Sequence, residues 1–198
     1  NEELRGVFDD GSYYDELLNA APIFDLQGQP TGAVGTSTLI TERKQAEERA
    51  YRLAHQDALT GLPNRLAFRR RLTKERERAA RDGGYLGLLL VDIEAARRLQ
   101  QTVRRRDLVA RLGGDEFAVL SGSADRPGDF AGLAERLVQA LRRPYRLHGN
   151  EVRRAVSIGL AIYPDDAADI DGLLANADFA LYAAKEAGRD GWRVFDPS

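Results

Sequence analysis

The sequence predicts an α+β fold, a single mixed sheet flanked by helices. Three observations carry that prediction. Leu86 to Ile93 (Leu-Gly-Leu-Leu-Leu-Val-Asp-Ile) is a near-continuous apolar run, the pattern of a strand buried on both faces. Arg111-Leu112-Gly113-Gly114-Asp115-Glu116-Phe117 sets two glycines between apolar stretches at 108–110 and 117–120. That reads as a tight hairpin, because glycine alone takes positive φ without steric cost. Amphipathic stripes at helical spacing separate the strand-like segments, among them Phe130, Leu133, Leu137, Val138 and Leu141.

Residues 1–40 form a piece of their own. Tyr13 to Phe24 and Gly32 to Ile40 read as the two strands of a hairpin, with Asp25-Leu26-Gln27-Gly28 supplying the turn. A segment this short buries no sizeable core alone. Ala21-Pro22-Ile23-Phe24-Asp25, Gly28, Gly32 and Ile40-Thr41-Glu42-Arg43-Lys44 resemble the last strands of a PAS sensor domain, with Leu39 where that family usually has Asp. The ligand-pocket half of a PAS domain has no counterpart here, so the resemblance implies no ligand. Residues 41–56 read as a linker helix that Thr41 can cap. Ala46, Ala50, Leu53 and Ala54 form a narrow apolar stripe on its charged surface. Two readings fit that stripe: a surface helix lying on its own domain, or a short parallel coiled coil pairing two chains.

The remaining residues, 57–198, carry the domain proper. Asp57 to Arg65 is a turn-rich break, and Asn64 is placed to cap a helix from Arg65 to about Ala80, ended by Asp82-Gly83-Gly84. After the Leu86–Ile93 strand, Ala95 to Val103 reads as helix. Beyond the glycine hairpin and the Phe130–Leu141 helix, Tyr145–Leu147 and Val152–Ile162 read as a second hairpin through His148-Gly149-Asn150. In the longer strand Val152, Val156, Ile158, Leu160 and Ile162 share a face. Ile170, Leu173, Leu174 and Ala177 mark a helical stripe, and a further helix runs to Ala187 and stops at Gly188. Trp192 to Phe195 reads as an edge strand.

With 198 residues, 43% hydrophobic and 30% charged, the chain suits one good-sized domain plus a smaller piece. A formal net charge of −2 argues against a nucleic-acid partner. Arginines cluster at 69–71, 104–106, 142–143 and 153–154, but acids elsewhere balance them, and most such clusters are solvated helix faces. The absence of cysteine excludes disulfides and thiolate metal sites and fits a reducing, cytoplasmic location. No apolar run has membrane-spanning length and no signal peptide is present. The chain begins at Asn1 and contains no Met, so it reads as part of a longer protein whose membrane anchor would lie elsewhere, if it has one.

Asp115 and Glu116 follow the two glycines directly. Paired carboxylates beside side-chain-free backbone suit a divalent cation with a phosphate lying over the glycines. Alone, such a turn reads as an ordinary charged hairpin. Three further motifs change that reading: Asp57-Ala58-Leu59-Thr60-Gly61-Leu62-Pro63-Asn64-Arg65, Asp92-Ile93-Glu94 at a strand end, and Ala184-Lys185-Glu186-Ala187-Gly188-Arg189. In this order, from about Tyr51 to Pro197, the four resemble the GGDEF diguanylate cyclase family.

The resemblance implies a fold like the palm of nucleotide cyclases and polymerases. It also implies condensation of two GTP into cyclic di-GMP and two pyrophosphates by a homodimer, each domain holding one GTP. It places Mg²⁺ (or Mn²⁺) on Asp92, the Ile93 carbonyl and Asp115, with Glu116 beside them as ligand or as proton acceptor. Gly113 and Gly114 let backbone approach the nucleotide. Lys185 and Arg189, spaced i, i+4, are placed on the β- and γ-phosphates. Arg104-Arg105-Arg106-Asp107 matches the family's inhibitory R-x-x-D, which makes Arg104 and Asp107 the candidates for binding product. His55 and His148 have no neighbours that suggest a role.

One departure is large. In the family about twenty residues, carrying a phosphate-loop Phe-Lys and the Asn and Asp that read guanine, follow the acidic strand end. Here Glu94 is followed directly by Ala95-Ala96-Arg97-Arg98-Leu99, which already matches the later helix. The integrity of every other motif favours a sequence from which that segment has been omitted over a domain that has lost it. An omission predicts that Glu94 and Ala95 are not joined by an ordinary peptide bond. The second functional class is a catalytically degenerate GGDEF domain that binds GTP or cyclic di-GMP and regulates a neighbour. Trp192-Arg193-Val194-Phe195-Asp196-Pro197 resembles the boundary before a phosphodiesterase (EAL) domain, which would be such a neighbour.

Overall fold

The computed structural model describes residues 2–92, 96–124, 126–147, 150–152 and 155–197. They fall into two units, Asn1–Ala54 and His55–Ser198. In the first, β1 (Glu2–Val7), β2 (Tyr13–Phe24) and β3 (Pro30–Leu39) form an antiparallel sheet in the order β1-β2-β3. The expected hairpin is β2–β3, its turn held by the Asp25 carboxylate, which accepts from the amides of Gln27 (2.9 Å) and Gln29 (2.8 Å). The added strand, β1, has no alternating pattern to betray it and is secured by pairing with β2, including an Arg5–Asp15 ion pair at 3.1 Å. The helix α1 (Thr41–His55) follows. Thr41 does not act as a simple cap: its hydroxyl accepts from the Asp15 amide at 2.9 Å and so ties the helix start to β2. The stripe residues Ala46, Ala50, Leu53 and Ala54 are all exposed.

The second unit contains α2 (Arg65–Asp82), β4 (Tyr85–Asp92), α3 (Ala96–Thr102), β5 (Leu108–Gly113), β6 (Glu116–Ala124) and α4 (Gly128–Leu141). It continues with β7 (Tyr145–Leu147), β8 (Asn150–Val152), β9 (Ser157–Tyr163), α5 (Ile170–Glu186) and β10 (Gly191–Val194). Five strands form one mixed sheet in the order β10-β9-β4-β6-β5, with β10 parallel to β9 and the other neighbours antiparallel. The predicted α+β class is therefore the observed one. Asn64 caps α2 as expected, its side chain accepting from the Ala67 amide at 3.0 Å, and Gly83 closes the helix at φ 67°.

The central strand β4 is buried on both faces because its two side-chain rows serve two cores. Leu86, Leu88 and Leu90, with Ala118 and Leu120 of β6, pack against Phe68 and Leu72 of α2 and Leu173, Ala177 and Leu181 of α5. Leu89 and Val91, with Phe117 and Val119, pack against Leu99 of α3 and Phe130, Leu133 and Leu137 of α4. Each such fully buried Leu or Phe stabilises the fold by about 1.5–3 kcal/mol over its exposed state. The short α3 is also held by Arg98, which lies 3.7 Å from the Tyr145 ring centroid and donates to the Arg143 and Pro144 carbonyls.

Three expectations need correction. The long strand expected from Val152 to Ile162 is two strands: β8 pairs only with β7, while β9 joins the main sheet. The two helical segments expected after Ile170 are one helix, because Leu173, Ala177, Ala180, Leu181 and Ala184 continue one buried stripe without a break. The helix expected to run to Val103 ends at Thr102; Ala95, its expected start, lies outside the described residues. The Glu94–Ala95 junction, Ile93, His148 and Gly149 lie outside the described residues. No helix among the described residues is long and apolar enough to cross a membrane.

Candidate active site

The alternation of β4 decides where the acids point. Asp92 continues the Leu86–Leu88–Leu90 row, and Glu116 continues the Ala118–Leu120 row, so both belong to the face covered by α2 and α5. Asp92 and Glu116 are direct cross-strand partners. Glu116 is the first residue of β6, so of the two adjacent carboxylates only Asp115 belongs to the turn. Asp115 stands exposed in the turn itself, which is entered through Gly113 (φ 152°) and Gly114 (φ 52°), backbone values that L side chains rarely adopt.

Two like charges directly opposite one another destabilise a sheet. Each of these acids is met by a cation from a helix. Lys185 of α5 forms an ion pair with Asp92, their side chains 32% and 24% exposed. Arg65, the first residue of α2, places Nη2 3.7 Å from Glu116 Oε2 and donates from Nε to the Leu112 carbonyl at 3.2 Å. Among the described residues no three carboxylate or imidazole groups cluster closely enough to form a ready-made metal site. That donor set still suits Mg²⁺, which keeps several waters and takes one or two carboxylates together with substrate phosphates. Asp92 already draws a cation to itself.

Sequence reasoning missed the brace under the turn. Arg111 donates from Nε and Nη2 to the Gly114 carbonyl at 2.9 and 2.7 Å, and from Nη1 to Asp57 Oδ1 at 3.0 Å. Asp57 also accepts from the Thr60 hydroxyl (2.7 Å) and amide (2.9 Å). Chiefly the Thr60 hydroxyl, and then Arg111, hold the Asp57 carboxyl below its usual range against the opposing effect of burial. The first residue of the 57–65 motif thus fixes the glycine turn through Arg111, and the last residue, Arg65, reaches Glu116. An arginine two places before the glycines was the available signal, but the partner lies 54 residues away in sequence.

The remaining candidates are placed differently from one another. Arg189 lies beyond the end of α5 at φ 58°, so the expected i, i+4 helical pairing with Lys185 does not occur. It lines a cleft of about 340 Å³ with Arg142, Asp190, Trp192 and Arg193, in which Lys185 takes no part. Arg104 and Asp107 lie in a turn after α3, not on a continuing helix, with the Asp107 amide donating to the Arg104 carbonyl at 3.0 Å. The Asp107 carboxylate accepts from the Arg104 amide (2.9 Å) and the buried Ser121 hydroxyl (2.8 Å). Among the described residues the Arg104 guanidinium makes no ion pair with Asp107. It lines a cleft of about 310 Å³ with Gln100, Arg105 and Val109. His55 contacts Arg70 through Nε2. A third cleft, about 380 Å³, lies beside Glu116 between α2 and α5, floored by Leu90, Val91 and Phe117. An Arg69–Asp171 ion pair at 2.7 Å joins α2 to α5 at this cleft.

Comparison with known proteins agrees with this arrangement. The sequence profile described as "Diguanylate cyclase, GGDEF domain" matches residues 54–95 and 93–191, breaking at the strand-to-helix junction. The bifunctional diguanylate cyclase/cyclic di-GMP phosphodiesterase MucR of Pseudomonas aeruginosa is 40% identical, over 82% of this chain and 27% of its own length. That alignment runs over 184 positions, more than this chain contributes, so the relative carries residues with no counterpart here. The cyclic di-GMP phosphodiesterase PdeR of Escherichia coli is 30% identical, over 82% of this chain and 27% of its own length. The chain thus spans only about a quarter of either relative. The crystal structure of the GGDEF domain of TpbB from P. aeruginosa superimposes with a TM-score of 0.68 at 33% identity, covering 71% of this chain and all of that one. A glycine turn braced by Arg111, a strand-end aspartate facing its glutamate, and a profile match over most of the chain place this protein in the GGDEF diguanylate cyclase family.

Proposed function

We propose that the second unit is a diguanylate cyclase, condensing two GTP into cyclic di-GMP with release of two pyrophosphates. The observation that carries this reading is the Asp92–Glu116 cross-strand pair, set beside a side-chain-free turn and opposed by Lys185. Asp92, Asp115 and the Ile93 carbonyl would hold Mg²⁺ or Mn²⁺. The metal, when bound, polarises the α-phosphate and lowers the pKa of the attacking ribose 3′-hydroxyl. Gly113 and Gly114 leave room for phosphate against the backbone, while Lys185 neutralises the departing pyrophosphate. Glu116, held by Arg65, stands beside the metal as ligand or as proton acceptor. Because one domain supplies one GTP, the reaction needs two copies face to face, a symmetric homodimer. Residues 1–40 are then the end of a PAS-type sensor and residues 41–56 its connection to the cyclase. The test is incubation of the full-length protein with GTP and Mg²⁺: cyclic di-GMP and pyrophosphate in a 1:2 ratio support the reading, and intact GTP overturns it.

A second reading, a non-catalytic GGDEF domain that binds GTP or cyclic di-GMP and governs a neighbouring EAL domain, is favoured by one observation. Between the end of β4 at Asp92 and the start of α3 at Ala96 the chain has no room for a base-reading segment. Binding of GTP without turnover would select it.

Product inhibition is the regulatory part of the proposal. With the Asp107 carboxylate engaged by Ser121 and the Arg104 amide, the Arg104 guanidinium is left to fork onto a product phosphate in the adjoining cleft. Arg104→Ala should weaken cyclic di-GMP binding on the order of tenfold, as loss of one charge-assisted contact implies, and relieve inhibition by product. Unchanged affinity in calorimetry would remove this site from the account.

A further inference from the structure

Asp92 and Lys185 are assigned opposite tasks by the proposed chemistry, one for a metal cation and one for phosphate, yet in the folded chain they hold each other. Neither is lost in solvent: the side chains are 24% and 32% exposed, so the pair sits in a partly desolvated place where charge pairing is stronger than on an open surface. Glu116 opposite Asp92 is engaged more loosely, by Arg65 at 3.7 Å. Lys185 lies in the last turn of α5, on a flexible four-carbon stem that can swing between partners without moving the helix.

We propose that Lys185 is an internal counter-ion that occupies the Asp92 carboxylate until nucleotide arrives, coupling metal binding to triphosphate binding. This rests on the metal and phosphate roles given under the proposed function. Without triphosphate, a divalent cation competes with the Lys185 ammonium for Asp92, and its affinity is reduced. When a triphosphate enters, its oxygens offer Lys185 a second anionic partner. Lys185 leaves Asp92 for the phosphate, and the vacated carboxylate takes the metal. The two ligands then favour each other by the same factor in both directions, as linkage requires. Lys185 thus neutralises the Asp92 carboxylate and weakens its hold on stray cations until substrate binds.

The test is Mn²⁺ binding to the full chain, followed by electron paramagnetic resonance of the free ion, first with no nucleotide and then with guanosine 5′-(β,γ-imido)triphosphate. Lys185→Gln removes the competing charge. It should tighten Mn²⁺ binding to the nucleotide-free chain by about fivefold or more, the lower end of typical couplings. It should also shrink the gain in Mn²⁺ affinity that the nucleotide confers on the wild type. Arg69→Gln removes an equal charge that is held by Asp171 and does not touch Asp92, so it serves as the control and should change Mn²⁺ affinity far less. An equal effect of both substitutions would mean that only the general field is at work and would overturn the exchange. Unchanged or weaker Mn²⁺ binding by Lys185→Gln, with the wild type binding Mn²⁺, overturns the exchange and leaves the metal-site reading standing. No Mn²⁺ binding by either protein, even with the nucleotide, overturns both.

Discussion

Asp115→Ala is expected to abolish formation of cyclic di-GMP while leaving thermal unfolding where it was. Asp115 stands exposed at the tip of the glycine turn, and among the described residues it makes no hydrogen bond or ion pair. Exposed substitutions of that kind change stability by only about ±0.5 kcal/mol. On the proposed mechanism the reaction should lose much more, because a Lewis-acid metal held by Asp115 would supply several kcal/mol of transition-state stabilisation, and about 4 kcal/mol is a thousandfold in rate. The measurement is initial rate with GTP and Mg²⁺ beside a melting curve. A variant that keeps its rate removes Asp115 from the chemistry, and one that melts early shows that the carboxylate serves the turn.

Gly159→Ala should be the most damaging single methyl group in the fold. Gly159 lies in β9 between Leu90 of β4 and Arg193 of β10. An added Cβ would fall inside contact distance of the Ala177 carbonyl oxygen and the Leu181 amide nitrogen, and 2.7 Å from the Leu181 Cα. These are backbone atoms of α5 and cannot swing aside. The helix has to move away from the sheet, and the buried Leu173, Ala177 and Leu181 lose their packing together. Overpacking of this kind costs roughly 3 kcal/mol or more, which for a domain of this size lowers the melting temperature by about 6–12 °C. Because α5 carries Lys185 to Asp92, the displaced helix should also weaken nucleotide binding. An unchanged melting temperature would mean that α5 tolerates a wider separation from β9.

The amino-acid sequence by itself determined which segments could be strands and helices and which face each would bury. The apolar run at 86–91 could only be satisfied between two cores, and it is. The stripe of Phe130, Leu133, Leu137, Val138 and Leu141 is buried at every position. Asn64 caps its helix because a short side-chain oxygen three residues before a free amide needs nothing further away. Local chemistry of this range is legible because its partners are neighbours in the chain. The pairing of carboxylate with cation was not. Nothing in the residues around Asp92 names Lys185, 93 positions later, and Arg111 finds Asp57 only because β5 and the 57–65 turn meet in the folded domain. The helix stop before Gly188 was legible, with α5 ending at Glu186 and capped at Ala187, but it leaves Arg189 in a left-handed turn, so the i, i+4 pairing with Lys185 does not form. The physical reason is common to both charge pairings. Backbone preference is set within a turn or two of chain, whereas the energy of a desolvated charge is set by whichever opposite charge the packed sheet and helices bring to it.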